Sequence, residues 1–248
     1  MTRLAALSDI HGNATAMEAV LKDISKEKPD AVLIAGDLVL NGPEPGLVVD
    51  VLRSLPTATT LVVGGNTDIA AADFDYAAAF PWMLDGVADA IVDAAEWAHD
   101  ELGADRIDWL RRLPTERRWR ADDDTLVLVC HASPGSQTAG FDQGLDPTVT
   151  IERVARTDAR VIVCGHTHVP EIRDLGWKLI VNDGSAGYVF DGDPTASWAL
   201  IDLDEGEVRA EIRRTTFDAL SVANAISARG LAGDVYRAAT VRTGKLVR

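Results

Sequence analysis

Seven side chains stand out by type and spacing. Asp9 and His11 lie two residues apart, as do His166 and His168, and between these pairs come Asp37, Asn66 and His131. All are oxygen or nitrogen donors and none is a thiolate. That set suits Mn, Fe, Zn or Ni rather than a calcium loop or a zinc finger. Seven donors exceed one closed site and fit two ions that share a carboxylate. Two ions roughly 3.5–4 Å apart clamp a phosphoryl group for in-line attack by a deprotonated water. The chain has five histidines, four of them in this set. The fifth, His99, falls in a helical pattern beside Asp100 and Glu101 and reads as a surface residue.

Five of the donors close apolar runs, and His11 and His168 follow two residues on. Leu4–Ser8 leads to Asp9, Ala31–Ala35 to Gly36-Asp37, and Thr60–Val63 to Gly64-Gly65-Asn66. Thr125–Cys130 leads to His131, and Arg160–Cys164 to Gly165-His166. In an extended chain residues i and i+2 point the same way, so each two-residue pair is expected to leave a strand end together. In open α/β sheets ligands gather beyond the carboxyl ends of the strands. Five such strands, side by side and parallel, would bring all seven donors to one place.

The intervening segments supply the crossovers. Ala14, Met17, Val20, Leu21 and Ile24 are spaced as a helix. Asn13 is its expected N-cap, the alternative role being a phosphate contact. Lys28-Pro29-Asp30 ends this helix, and strand, helix, strand in so short a span predicts parallel pairing. A second helix carries Leu47, Val48, Val51, Leu52 and Leu55 and stops at Pro56. Residues 69–124 hold four of the six tryptophans, with helices expected near 86–102 and around Ile107, Leu110 and Leu113. This stretch is too long for a plain connection. It reads either as a cap-like helical insertion over the site or as an ordinary helical layer within one domain spanning residues 1–248.

After His131 the loop Ala132–Pro147 is rich in Gly, Pro, Ser and Asp and is expected to face substrate. A short helix with Ile151, Val154 and Ala155 follows. From Val169 onward the pattern turns antiparallel. Ile172 and Leu179–Val181 form a hairpin, Asn182–Gly187 a glycine-rich turn, and Ser197–Leu203 pairs with Val208–Arg214. A last helix through Phe217, Leu220, Ala223 and Ile226 stops at Gly230. The basic tail Val241–Arg248 is expected to be loosely held.

Bulk composition narrows the function. The chain has 248 residues, 47% of them hydrophobic, enough for a sizeable core. Its formal net charge of −15 repels nucleic-acid backbones. It leaves open a small phosphate ester held by cations, which invert the local charge. Cys130 and Cys164 form no CxxC spacing and are expected to be reduced and buried. Asp9 interrupts the first apolar run too early for a secretory leader, and no run approaches the ~20 apolar residues of a membrane span. The expectation is a cytoplasmic protein, with homo-oligomer formation left open.

DIHGN at Asp9–Asn13, Gly36-Asp37, Gly65-Asn66-Thr67-Asp68, a lone His131 after a strand, and Gly165-His166-Thr167-His168 occur in this order. The set resembles the calcineurin-like metallophosphoesterase superfamily, and with Asp37-Leu38-Val39 through Gly42-Pro43 and Gly184-Ser185-Ala186-Gly187 leading to Gly192-Asp193-Pro194 the chain is similar, over residues 1 to about 215, to its small bacterial and archaeal phosphodiesterase branch. The resemblance implies a four-layer αββα sandwich of two mixed sheets flanked by helices. It implies two divalent ions, manganese foremost, with a hydroxide bridging them. Asp9, His11 and His168 would hold one ion and Asn66, His131 and His166 the other, with Asp37 bridging. Asn66 and Asp68 would be the catalytic residues of the third block, Asn66 touching the phosphoryl group.

One position departs. The family commonly reads Gly-Asn-His-Asp or Gly-Asn-His-Glu, and Thr67 stands where that histidine would be. A threonine hydroxyl is no general acid at neutral pH, so diesters and good leaving groups become the expected substrates, in small or nucleotide-like esters. Asp68, without a histidine to pair with, would only shape the turn. The other readings are a phosphomonoesterase or nucleotide phosphatase, and a non-catalytic metal-binding scaffold like the scaffold subunit of retromer.

Overall fold

The computed structural model describes all residues 1–248. The first sheet is built on β1 (Thr2–Leu7), β2 (Ala31–Ile34) and β3 (Thr60–Val62), which run parallel. The second combines β4 (Glu116–Arg120), β5 (Leu126–Cys130), β6 (Val161–Cys164), β7 (Glu171–Asp174) and β8 (Leu179–Asn182) in the order β4-β5-β6-β8-β7. There β5, β6 and β8 are parallel, and β4 and β7 are antiparallel edges. The antiparallel pair β9 (Ala196–Asp204) and β10 (Glu207–Thr215) completes the first sheet alongside β1.

Both faces of the central strands are covered, which is why their sequences are apolar throughout rather than alternating. Leu4, Ala6, Leu33 and Val63 meet Val127, Val129, Val161 and Val181 of the other sheet. The opposite faces, with Ala5, Leu7 and Ile34, pack on the helices α1 (Ala14–Glu27) and α2 (Pro45–Ser54). The second sheet turns Leu128, Cys130, Ile162 and Cys164 toward Phe141 and Val154. The result is the four-layer αββα sandwich. Both cysteines are buried and unpaired, as expected of reduced side chains.

Three expectations need correction. The five donor-bearing strands are not side by side: three lie in one sheet and two in the other. Apolar periodicity reports burial and cannot say which sheet a strand joins. In the 69–124 segment, α3 (Asn66–Asp73) already begins at Asn66, followed by α4 (Tyr76–Ala79) and α5 (Asp89–Arg111). Gly103, at φ +66°, breaks α5 into two stretches, which are the helices expected near 86–102 and around Ile107 and Leu110. The segment then ends in the strand β4, whose sequence ERRWR hid it because an edge strand can leave most of its side chains in solvent. Finally, the C-terminus is not loose. Beyond α6 (Pro147–Val154) and α7 (Ala219–Arg229) lies α8 (Asp234–Thr243), where Ala238 and Val241 pack on Tyr188, Val222 and Ile226. Its buried face also contains Asp234 and Arg237, an ion pair that hydropathy cannot read as core.

Candidate metal centre

The strands end level, Leu7 opposite Ile34 and Ile34 opposite Val62 in one sheet, Val129 opposite Val163 in the other. The donors stand just beyond, six in loops and Asn66 as the first residue of α3. β1 stops at Leu7 and β6 at Cys164. Asp9, His11, His166 and His168 therefore do not converge by strand alternation. They lie in the left-handed region, with φ of 51°, 51°, 70° and 59°, and Asp37 joins them at 55°. Left-handed backbone is costly for residues with a Cβ and concentrates at functional sites, where the surroundings hold it. Here the holding is done by backbone: Asp9, His11 and Gly12 donate N–H to the carbonyls of Gly36, Asp37 and Leu38. Two glycines let the loops touch. A Cβ on Gly65 would overlap Asp37 Oδ1, and one on Gly165 would overlap Ser8 Oγ and Asp9 Oδ2.

All seven donors are brought together, in two groups joined by Asp37. In the first, one atom each from Asp9, His11, Asp37 and His168 fall within 4.8 Å of one another. His11 Nε2 is 3.2 Å from His168 Nε2 and 3.6 Å from Asp37 Oδ2, and His168 Nε2 is 3.2 Å from Asp9 Oδ1. In the second, His131 Nε2 is 3.3 Å from Asp37 Oδ1 and 3.0 Å from Asn66 Oδ1. His166 Nδ1 is 3.0 Å from Asn66 Oδ1 and 3.2 Å from His131 Nε2. Six of the seven are buried, and His166 is half-buried. His99 lies elsewhere, its Nδ1 2.8 Å from the Ala71 carbonyl.

The outer contacts decide which atoms face inward. Nδ1–H of His11 donates to Leu40 O at 3.0 Å, that of His131 to Ala35 O at 2.7 Å, and that of His168 to Tyr188 O. Each ring is thereby set in the tautomer whose Nε2 lone pair points into the site. Asn66 donates Nδ2–H to Ala79 O at 3.1 Å, which turns its Oδ1 inward. Asp9 Oδ1 is buried with no hydrogen-bond partner. Lone pairs thus face lone pairs and carboxylate oxygens, an arrangement that needs cations, or protons in their place. The donor set fits divalent metal ions in both groups.

Without cations, protons take their place. Burial opposes charge on His131, but Asp37 overcomes it and lifts the imidazole to about 10. His168 is also raised, burial again being outweighed by Asp9. Burial lowers His11 to about 4 with help from His168, and His166 to about 4 with help from His131. Burial pushes against ionisation of Asp37 and Asp9 too, yet the surrounding imidazoles hold both carboxyls below their usual range.

Two neighbours of the donors have distinct jobs. Asp68, buried, accepts Leu38 N–H on Oδ1 and Gly65 N–H on Oδ2, both at 2.8 Å. It therefore clamps the Asp37 loop to the start of α3, while burial and the charge of Asp37 raise it to about 7. Thr67 donates its backbone N–H to Asp37 Oδ1 at 2.9 Å, and its hydroxyl is buried without a partner. Asn13 caps α1 by accepting Ala16 N–H and donates to Gly187 O, so its side chain is used structurally.

Sequence reasoning passed over a polar network behind Asp9. Ser8 Oγ lies 2.5 Å from Asp9 Oδ2 and 2.6 Å from Asp183 Oδ1, and Asp183 is fully buried. Ser8 has one hydroxyl proton. With Asp9 ionised that proton goes to Asp9, so Asp183 must be a neutral acid donating to Ser8. Burial pushes Asp183 well above the carboxylate range, in agreement. Ser185 donates to the Asp9 carbonyl, and the N–H groups of Ala186 and Gly187 bind the carbonyls of Ser8 and Asp9. The sole signal in the sequence was a glycine-rich turn after a strand; nothing local says that it underlies a ligand 174 residues away in the chain.

A match to the calcineurin-like phosphoesterase superfamily domain spans residues 2–206. The chain belongs to this superfamily. An uncharacterized protein of Methanocaldococcus jannaschii is 27% identical over 232 residues, covering 87% of this chain and 88% of its own. A metallophosphoesterase from Sphaerobacter thermophilus superposes with a TM-score of 0.76 at 25% identity, over 98% of this chain and 99% of that one. A hypothetical protein from Pyrococcus horikoshii shares the fold, with a TM-score of 0.82 at 21% identity over 98% and 99% of the two chains. No helix of this family member is long and apolar enough to cross a membrane.

Proposed function

We propose that this phosphoesterase hydrolyses small phosphate esters, diesters in preference to monoesters, at a pair of divalent metal ions, with manganese the best-suited ion. The observation that carries the reading is the sharing of Asp37: its two oxygens face separate groups of donors, Oδ2 toward His11 and Oδ1 toward His131. Asp9, His11 and His168 would hold one ion and Asn66, His131 and His166 the other. When bound, such a pair supplies a deprotonated water and neutralises the phosphoryl oxygens.

The chain's own residues then do the following. The carbonyls of Leu40, Ala35 and Tyr188 keep three imidazoles from rotating and hold a proton on each outer nitrogen, so that the inward nitrogen is the one an ion would take. Asn66, fixed through Ala79, offers its remaining amide N–H to a phosphoryl oxygen. Asp68 positions Asp37 and Asn66 and does not itself touch the ester. Thr67 cannot protonate a departing alkoxide, which supports substrates with acidic leaving groups and diesters, whose single negative charge also suits an acidic protein. Residues 69–124 act within the one domain, Ala79 of α4 orienting Asn66. Two buried unpaired cysteines are consistent with a reducing, cytoplasmic setting.

The test is hydrolysis of bis-p-nitrophenyl phosphate with Mn²⁺ by wild type, Asp37→Asn and His131→Ala. Wild type is expected to turn over and both variants to lose activity. A wild type that binds two ions per chain yet stays inert with every divalent ion and ester tried would instead be a scaffold of the same fold.

A further inference from the structure

The seven donors are not equally accessible. His166 is half-buried and the rest are closed off, so a substrate must arrive on the His166 side. An indole stands at that entrance. Trp82 is 52% exposed and meets the His166 ring edge-on, with centroids 6.2 Å apart and planes at 67°. The other three tryptophans of this stretch, Trp97, Trp109 and Trp119, are all more buried. Trp82 is also held in place. Phe80 packs edge-to-face on it at 5.8 Å and is itself buried. Met83 N–H closes a turn on the Phe80 carbonyl, and Ala79, three residues before Trp82, accepts the amide of Asn66. The segment that orients one donor therefore also fixes an exposed aromatic surface beside another. On the far side of the centre, Phe190 stacks on His168 with centroids at 4.0 Å and planes within 8°. That face of Phe190 is already taken, whereas Trp82 keeps half of its surface open to solvent.

We propose that Trp82 is a stacking platform for a flat group carried by the ester, so that the substrates are phosphate esters bearing a nucleobase or another aromatic heterocycle. The assignment rests on the phosphoesterase reading above and adds the class of organic group. A planar ring laid on the indole covers apolar surface and gains stacking energy without any base-specific hydrogen bond. Such a site discriminates between aromatic and non-aromatic esters and tolerates different bases.

The experiment compares two product-like ligands that differ only in the flat group. Adenosine 5′-monophosphate and ribose 5-phosphate are titrated into the Mn²⁺-loaded protein by calorimetry, and both are used as competitive inhibitors of bis-p-nitrophenyl phosphate hydrolysis. Wild type is expected to bind the adenosine ligand about tenfold more tightly. Trp82→Ala is expected to remove that advantage, and Trp82→Phe to keep most of it. An equal advantage in Trp82→Ala, or no advantage in wild type, overturns the proposal. Preserved discrimination in binding, with no ester hydrolysed, would overturn the esterase reading and leave the platform standing.

Discussion

The two halves of the centre differ in how they are enclosed. Around Asp9, His11 and His168 every donor is buried, and Asp9 is backed by Ser8, Asp183 and Ser185. Around Asn66, His131 and His166 one imidazole reaches solvent, Asn66 sits at the first turn of a helix, and an exposed indole stands alongside. The first half is over-determined, with backing polar groups behind its carboxylate and a stacked ring on one imidazole. The second is anchored mainly through carbonyls and left open on one side. Such a division suits one half to retaining an ion and the other to meeting substrate.

Four experiments would break or sharpen that contrast. The largest effect is expected from Asp37→Asn, which weakens both halves at once: turnover should fall on the order of 10³-fold, and metal analysis should find fewer than two ions per chain. Retention of two ions and full activity would remove the shared-carboxylate basis of the site. Next, Asp183→Ala should weaken metal binding about 10- to 100-fold through loss of the support behind Asp9. Asp183→Asn, which still donates to Ser8, should largely restore it. If both variants bind Mn²⁺ like wild type in calorimetric titrations, the backing of the first half is irrelevant to its ion.

Proton release provides a third comparison. In the metal-free protein His131 titrates near 10, above its ordinary value, so at pH 7 it carries a proton that an incoming ion must displace. His11 and His166, lowered to about 4, are already neutral there and release none. Affinity of the half containing His131 should therefore drop about tenfold for each pH unit below 10. His131→Gln should flatten this dependence, measured as proton release in buffers of differing ionisation enthalpy. An unchanged slope in that variant would show that His131 is not the displaced group. The smallest effect is expected from Thr67→His, which should raise activity on alkyl monoesters, whose leaving groups are poor, relative to diesters by a few-fold. An unaltered ratio of the two activities would dissociate Thr67 from leaving-group chemistry.

Much of this was legible from residues alone, and the reasons are local. Asp9, Asp37, Asn66, His131 and His166 each close an apolar run, because strands must be buried and polar donors must stand where they end. The hairpins from Ile172 onward follow from short connections. Other features had no local signal. β4 reads as a charged stretch because its edge position leaves it in water, and α8 hides its core contacts behind the Asp234–Arg237 pair. Asp183 looks like an ordinary turn residue until the fold places it against Ser8.

Sequence therefore determined the chemistry: which side chains can donate to a metal, that they follow strands, and that position 67 holds a hydroxyl rather than an acid or base. Those are properties of residue type and spacing, fixed before the chain folds. Tertiary structure decided the grouping. Division of the strands over two sheets, the left-handed turns at five ligands, the tautomers set by distant carbonyls and the nearness of Trp82 to His166 all come from residues far apart in the chain. Only packing in three dimensions brings such partners within hydrogen-bonding reach, and no pattern along the sequence encodes which partner each one finds.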